Sequence, residues 1–170
     1  MATIDSSAIE AELARLRDTQ LNREDVDEIV RGLGKIVGID DLALDESGVA
    51  ELVVDDDIEL SLLHLPTLPG IVAAVCMPDG AENNDALLRR LLQSNMSWAL
   101  TQGGCFAYVP PRLALCRLIP LAPSDSERLD RELAAFVELC KAWRREITDF
   151  LSGVAQPQEE SSEQEAGILV

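Results

Sequence analysis

Residues 49–77, "VAELVVDDDIELSLLHLPTLPGIVAAVCM", decide the fold. Residues 49–55, 58–65 and 71–77 follow the period of two that sends successive side chains to opposite faces of a strand. The breaks between them are Asp55, Asp56 and Asp57, then a Pro- and Gly-containing segment, both good turn formers. Three short strands in an antiparallel meander are therefore expected. Two of them are apolar on both faces: Ile58, Leu60 and Leu62 against Leu63 and Leu65, then Ile71, Ala73 and Val75 against Val72, Ala74 and Cys76. A small antiparallel sheet with helices on one face is ordinarily polar on the other, so a second cover is expected. A second subunit, an extended client, or helices wrapping further round the sheet would each supply it.

On either side the period becomes helical. Ile9, Leu13 and Leu16 predict a short amphipathic helix in an N-terminal extension, residues 1–21. Val26, Ile29, Val30, Leu33, Ile36 and Val37 predict the first core helix, with Asn22 as its cap, Gly32 and Gly34 weakening it and Gly38 ending it. Leu87, Leu88, Leu91 and Leu92 form an apolar stripe over residues 85–95. Residues 105–109 and 113–121 read as a hairpin bent at Pro110 and Pro111, which donate no ladder hydrogen bonds. "SDSE", residues 124–127, matches a capping box of Ser124 with Glu127. It opens a helix bearing Leu129, Leu133, Phe136, Val137, Cys140, Trp143, Ile147 and Phe150, roughly 40 Å long if it reaches Leu151. Residues 152–170 hold four glutamates and no basic residue, and an acidic disordered tail is expected. The fold class is α+β, with the order helix, three-strand meander, helix, two-strand hairpin, long helix: a twisted antiparallel sheet carrying helices, in one domain, residues 22–151.

Lys plus Arg number 14 against 31 Asp plus Glu in 170 residues, a net charge of −17. That sign repels phosphate backbones and anionic lipid, so neither nucleic acid nor membrane is an expected partner. The amino terminus has no basic segment followed by an apolar one, and Cys76, Cys105, Cys116 and Cys140 show no metal spacing. Buried thiols in a reducing cytoplasm are expected.

Candidate chemistry is sparse. The aspartate triplet lacks the D-x-D-x-D-G spacing of a calcium loop and reads as a solvated hairpin tip; a metal-assisted hydrolase using Asp55 to Asp57 is the alternative. His64, the single histidine, falls in register with Ile58, Leu60 and Leu62 and reads as a structural, half-buried ring. Ser61 and Ser94 have no base beside them, and "GGC", residues 103–105, is too short for a phosphate loop. Trp98 and Trp143 read as core or interface, and Arg144 with Arg145 as a solvated helix face. No enzyme, cofactor or metal is expected.

In order, the phrases "VDEIVRGLGKIVGI", "LALDESGVAELVVDDDIELSLL", "LLRRLLQSN", "GGCFAYVPPRLALCRLIPL" and "LDRELAAFVELCKAWRREI" resemble a class I type III secretion chaperone of the CesT/Tir chaperone family. Leu33-Gly34, the turn from Asp45 to Gly48, and Leu91-Leu92-Gln93-Ser94-Asn95 stand at the family's motif positions. The likeness covers about residues 22–150. It implies a bacterial cytoplasmic homodimer, without ATP use, that holds the N-terminal part of one or a few secreted effectors extended and export-competent. It implies an effector site at Val26, Ile29, Leu33, Ile58, Leu60, Leu62 and Leu63, with a client strand added to the sheet. It places a dimer contact at Leu88, Leu91, Leu92, Asn95 and Trp98, and makes the ATPase of the export apparatus a further candidate partner. A scaffold or regulator of the same fold, outside secretion, is the other alternative.

Overall fold

The computed structural model describes residues 21–55 and 57–153. The expected N-terminal helix and acidic tail, and Asp56, lie outside the described residues. Helix α1 (Arg23–Val37) is followed by strands β1 (Val49–Val54), β2 (Ile58–His64) and β3 (Gly70–Cys76), then helix α2 (Asp85–Ser94) and the short helix α3 (Trp98–Thr101). Strands β4 (Cys105–Val109) and β5 (Arg112–Pro120) precede helix α4 (Ser126–Leu151). The sheet is five-stranded and antiparallel throughout, in the order β1-β2-β3-β5-β4. The meander and the hairpin thus form one sheet, joined where β3 pairs with β5.

The alternation in the sequence becomes two unequal faces. Ile58, Leu60, Leu62, Ile71, Ala73, Val75, Leu115 and Ile119 are buried and share one face by register. Leu129, Leu133, Phe136, Cys140, Trp143 and Ile147 of α4 are buried in the same core, as are Val26, Ile29, Val30 and Leu33 of α1. Arg117, on that face beside Ala73, is tolerated because it pairs with Glu132 of α4. The opposite face carries Val49, Leu63, Val72 and Leu118 in one cross-strand row, each only partly covered.

Caps follow the sequence at one end of the molecule and depart from it at the other. Asn22 caps α1: its side chain accepts from the Asp25 N–H at 2.9 Å while Asp25 accepts from the Asn22 N–H at 3.2 Å. Gly38 ends that helix in the left-handed region, at φ 78°. The expected capping box at Ser124 does not form. Ser124 has φ 65°, α4 begins at Ser126, and the Asp125 carboxylate accepts from the Ala122 N–H and from Arg128. Ser126 instead donates to the Ile29 carbonyl of α1 at 3.0 Å, an approach made possible because Gly32 has no Cβ to meet it.

The loop into the sheet is built by Asp45, whose carboxylate accepts from the Val49 and Ser47 N–H groups and the Ser47 hydroxyl, each at 2.9 Å. The Val49 N–H, followed by the Ser47 groups, holds that carboxyl below its ordinary value. Arg23 donates to the Asp45 and Glu46 carbonyls, locking α1 onto the turn. His64 is 6% exposed in the core face, more deeply buried than expected, and its Nε2 has no hydrogen-bond partner among the described residues.

A Cβ at Gly34 would lie 2.5 Å from the Ile39 carbonyl oxygen. Gly34→Ala is expected to lower stability by about 1–3 kcal/mol through overpacking, outweighing the roughly 1 kcal/mol that Ala gains over Gly in an open helix. The midpoint of urea unfolding at unchanged m value is the check, and a raised midpoint would show that the Ile39 turn yields freely. Burial, with the nearby Arg23 guanidinium, holds the His64 imidazole below its ordinary 6.5. The unfolded ring takes up its proton at 6.5 and the folded ring only at lower pH. The stabilisation is complete above 6.5 and is lost as pH falls below it, so the thermal midpoint should drop there more for the native chain than for His64→Gln. Equal drops would contradict this origin.

Candidate functional site

A groove of about 260 Å³ opens between α1, the β1–β2 edge of the sheet and α4. Leu33 and Leu60 form its floor, and Leu52, Val54, Leu133 and Val137 its walls. The rim is charged: Asp55, Asp130, Glu138 and Lys141. β1 borders it and pairs only with β2 among the described residues, so one side of this strand keeps main-chain donors and acceptors for an added strand. An apolar trough beside an open strand edge suits an extended peptide better than a small polar molecule. The groove offers apolar surface and backbone, and its rim cation, Lys141, is committed to ion pairs with Asp55 and Glu138.

The aspartate turn is part of this rim. Asp55, at φ 51°, pairs with Lys141 at 2.5 Å, and Asp57 lies 3.6 Å from Arg144, whose guanidinium also donates to the Cys76 carbonyl at 2.9 Å. The Asp55 and Glu138 carboxylates both raise the Lys141 ammonium above its ordinary value. The turn is therefore tethered to α4 by two cations rather than merely solvated, and Arg144 is correspondingly no free surface charge. Among the described residues no group of three or more His, Cys, Asp or Glu side chains is arranged to hold a metal ion. No helix among the described residues is long and apolar enough to cross a membrane.

The effector-site residues expected from sequence divide sharply. Val26, Ile29, Leu33, Ile58, Leu60 and Leu62 are all 3% exposed or less. Their side chains fill the interior between sheet and helices, and a bound segment could reach most of them only by unpacking the core. Leu33 and Leu60 touch the groove as its floor, while Leu63 lies on the opposite, open face. The groove walls Leu52, Val54 and Val137 were not among the expected residues. Their signal was in the sequence, as apolar positions of β1 and α4, but the strand order that makes β1 an edge is not local information.

A second apolar region runs from α2 through α3 to β4. Leu92 is 62% exposed, Met96 90%, Trp98 77% and Tyr108 60%. Of the expected dimer residues, Leu92 and Trp98 are thus on the surface, Leu88 is half-buried and Leu91 belongs to the core. Asn95 is committed within the protomer: it accepts from the Phe106 N–H at 2.7 Å and donates to the Phe106 carbonyl at 3.1 Å. These bonds clamp the α2–α3 connection to β4. Below them Phe106 meets Trp143 edge to face at 4.9 Å, and the Trp143 indole N–H donates to the Leu100 carbonyl at 3.0 Å. "GGC" acquires a role here, since a Cβ at Gly103 would sit 2.6 Å from the Trp98 ring. Met96 and Tyr108 were missed because one follows the end of a helical stripe and the other lies on a strand whose edge position is non-local.

A family model described as the Tir chaperone protein (CesT) family matches residues 28–144. A chain in the crystal structure of the ExsC-ExsE complex superposes with a TM-score of 0.63 at 20% identity, over 72% of this chain and 93% of that one. A chain in the HopA1-SchA chaperone-effector complex superposes with a TM-score of 0.55 at 16% identity, over 84% of this chain and 99% of that one. At those identities the likeness is one of fold. No curated protein matches the chain significantly.

Lys141→Met is expected to free the aspartate turn: amide exchange at Val54 and Ile58 should quicken while the global unfolding midpoint stays nearly unchanged, as befits exposed ion pairs. Unaltered exchange at those amides would mean that the tether contributes nothing to the shape of the rim.

Proposed function

The chain belongs to the Tir chaperone protein (CesT) family, and from that premise we propose that it is an ATP-independent type III secretion chaperone. Residues 22–151 act as the chaperone domain. They hold the N-terminal chaperone-binding region of one or a few effectors extended, soluble and ready for export. The observation that carries this reading is the apolar groove lying against the open edge of β1. A client strand added to β1 would satisfy its own backbone groups and drop alternate side chains onto Leu52, Val54 and Val137. Binding of that kind asks little of the client's sequence, and it involves no bond chemistry, in keeping with a family of chaperones.

The protomer acts as a homodimer through the α2–α3–β4 region. Leu92, Met96, Trp98 and Tyr108 present large apolar side chains that a lone protomer leaves in water, and aromatic and Met residues are typical anchors of buried contacts. The charge of −17 supports a cytoplasmic protein that keeps such surfaces soluble until they are covered. The ATPase of the export apparatus would meet the loaded chaperone.

Two substitutions separate the two surfaces. Leu52→Glu places a charge in the groove wall and is expected to weaken the co-purified effector segment by about tenfold or more, with the dimer intact. Trp98→Glu should instead shift the chain to monomer in sedimentation velocity. Retained client affinity in a folded Leu52→Glu dimer would remove the groove from the mechanism.

A further inference from the structure

Three of the four cysteines lie together on the open face of the sheet, and they are not equivalent. Cys105 stands directly opposite Cys116 in the β4–β5 pairing. Directly opposed residues of antiparallel strands have Cα atoms about 4.5–5.5 Å apart, within the span of about 4.4–6.8 Å that a disulfide bridges. Both thiols point away from the core, since their neighbours Phe106 and Leu115 are the residues buried beneath them. Cys76 is set off diagonally: it pairs with Ala114 while Cys116 pairs with Ala74. Diagonal positions are about 7–8 Å apart, past the roughly 7 Å limit for a bridge without backbone movement. Cys140 is buried on α4, on the core side of the sheet. The fold thus selects one pair.

We propose that Cys105 and Cys116 are a cross-strand dithiol that hydrogen peroxide converts to an intramolecular disulfide, making the β4–β5 hairpin a site of reversible oxidative modification. The two thiols divide the work by exposure. Cys105 is exposed and meets the oxidant first. Burial, then the neighbouring Cys105 and Cys76, pushes the Cys116 thiol up to about 11, so it waits as a protonated resolving group. The Cys105 thiolate attacks the peroxide O–O bond, giving Cys105 sulfenic acid and hydroxide, which becomes water with the thiol's proton. The Cys116 sulfur then attacks the sulfenic sulfur; the S–S bond forms, the S–O bond breaks, and hydroxide leaves as water with the Cys116 proton. Two thiols and one peroxide become one disulfide and two waters, with both sulfurs oxidised and the peroxide reduced. The link ties edge strand β4 to β5, and β4 is the strand to which Asn95 clamps the α2–α3 connection. Oxidation therefore holds the Met96 and Trp98 surface on a strand that cannot fray.

The test uses the full chain, reduced, freed of reductant and exposed to equimolar hydrogen peroxide, then mapped by mass spectrometry without reduction. The expected product is monomeric in chain linkage, lighter by two hydrogens, with the Cys105 and Cys116 peptides joined and separable by dithiothreitol. The Cys105 thiol should be lost about tenfold faster than the Cys140 thiol. Cys76→Ser should give the same product, whereas Cys116→Ser should stop at a Cys105 sulfenic acid that dimedone traps. A disulfide between chains, a Cys76–Cys116 link, or sulfinic acid at Cys105 with Cys116 still reduced would each overturn the proposal; the native chain alone distinguishes them.

Discussion

The structure depends on the seam between α4 and one face of the sheet. The helix lays Leu129, Leu133, Phe136, Cys140, Trp143 and Ile147 across inward-facing residues drawn from β2, β3 and β5. Nearly every other feature is anchored there. Ser126 fastens the start of α4 to α1, Lys141 and Arg144 reach the aspartate turn, and Trp143 supports both Phe106 and the Leu100 carbonyl. A long amphipathic helix is marginal alone but is stabilised by packing, and here one helix organises both ends of the sheet.

Among the described residues, and apart from the open face of the sheet, two apolar surfaces remain once that seam is closed, and they lie at different places. The groove sits where α1 and α4 fail to close over the β1 edge, and the α2–α3–β4 region sits where the connection to the second hairpin turns outward. A protein with so large a negative charge repels its own copies at long range, yet the exposed Met96 and Trp98 reward close contact at short range. In the proposed function, solubility and assembly are thereby governed by different distances, and client binding and self-association would use different side chains.

Much of the fold was legible in the sequence because its signals are local. The period of two placed Ile58, Leu60 and Leu62 on one face and Leu63 on the other, as found. Asn22 and Gly38 bounded α1 as their chemistry predicts. Ser124 misled because a capping box is a short pattern, and the turn into α4 is set by Asp125 and by the contact of Ser126 with α1. The site was less legible for a related reason. Alternation separates two faces of a strand but does not say which face the helices cover, and most of the effector-site residues that the resemblance implied are buried, with Leu33 and Leu60 at the groove floor. That β1 is an edge follows from a strand order that pairs distant parts of the chain, whereas the opposition of Cys105 to Cys116 and the seat of Trp98 on Gly103 depend on hairpin register and turn geometry that alternation does not specify.

The central claim is that a client strand occupies the β1 edge and the groove beside it. Hydrogen exchange on the purified chaperone with and without a bound effector N-terminal segment measures this directly, because added strand pairing protects amides that are otherwise open to water. The account predicts new protection in β1 and along the groove-facing turns of α1 and α4, with α2 and α3 unchanged in the dimer. Protection confined to α2, α3 and β4, with β1 exchanging as before, would contradict it.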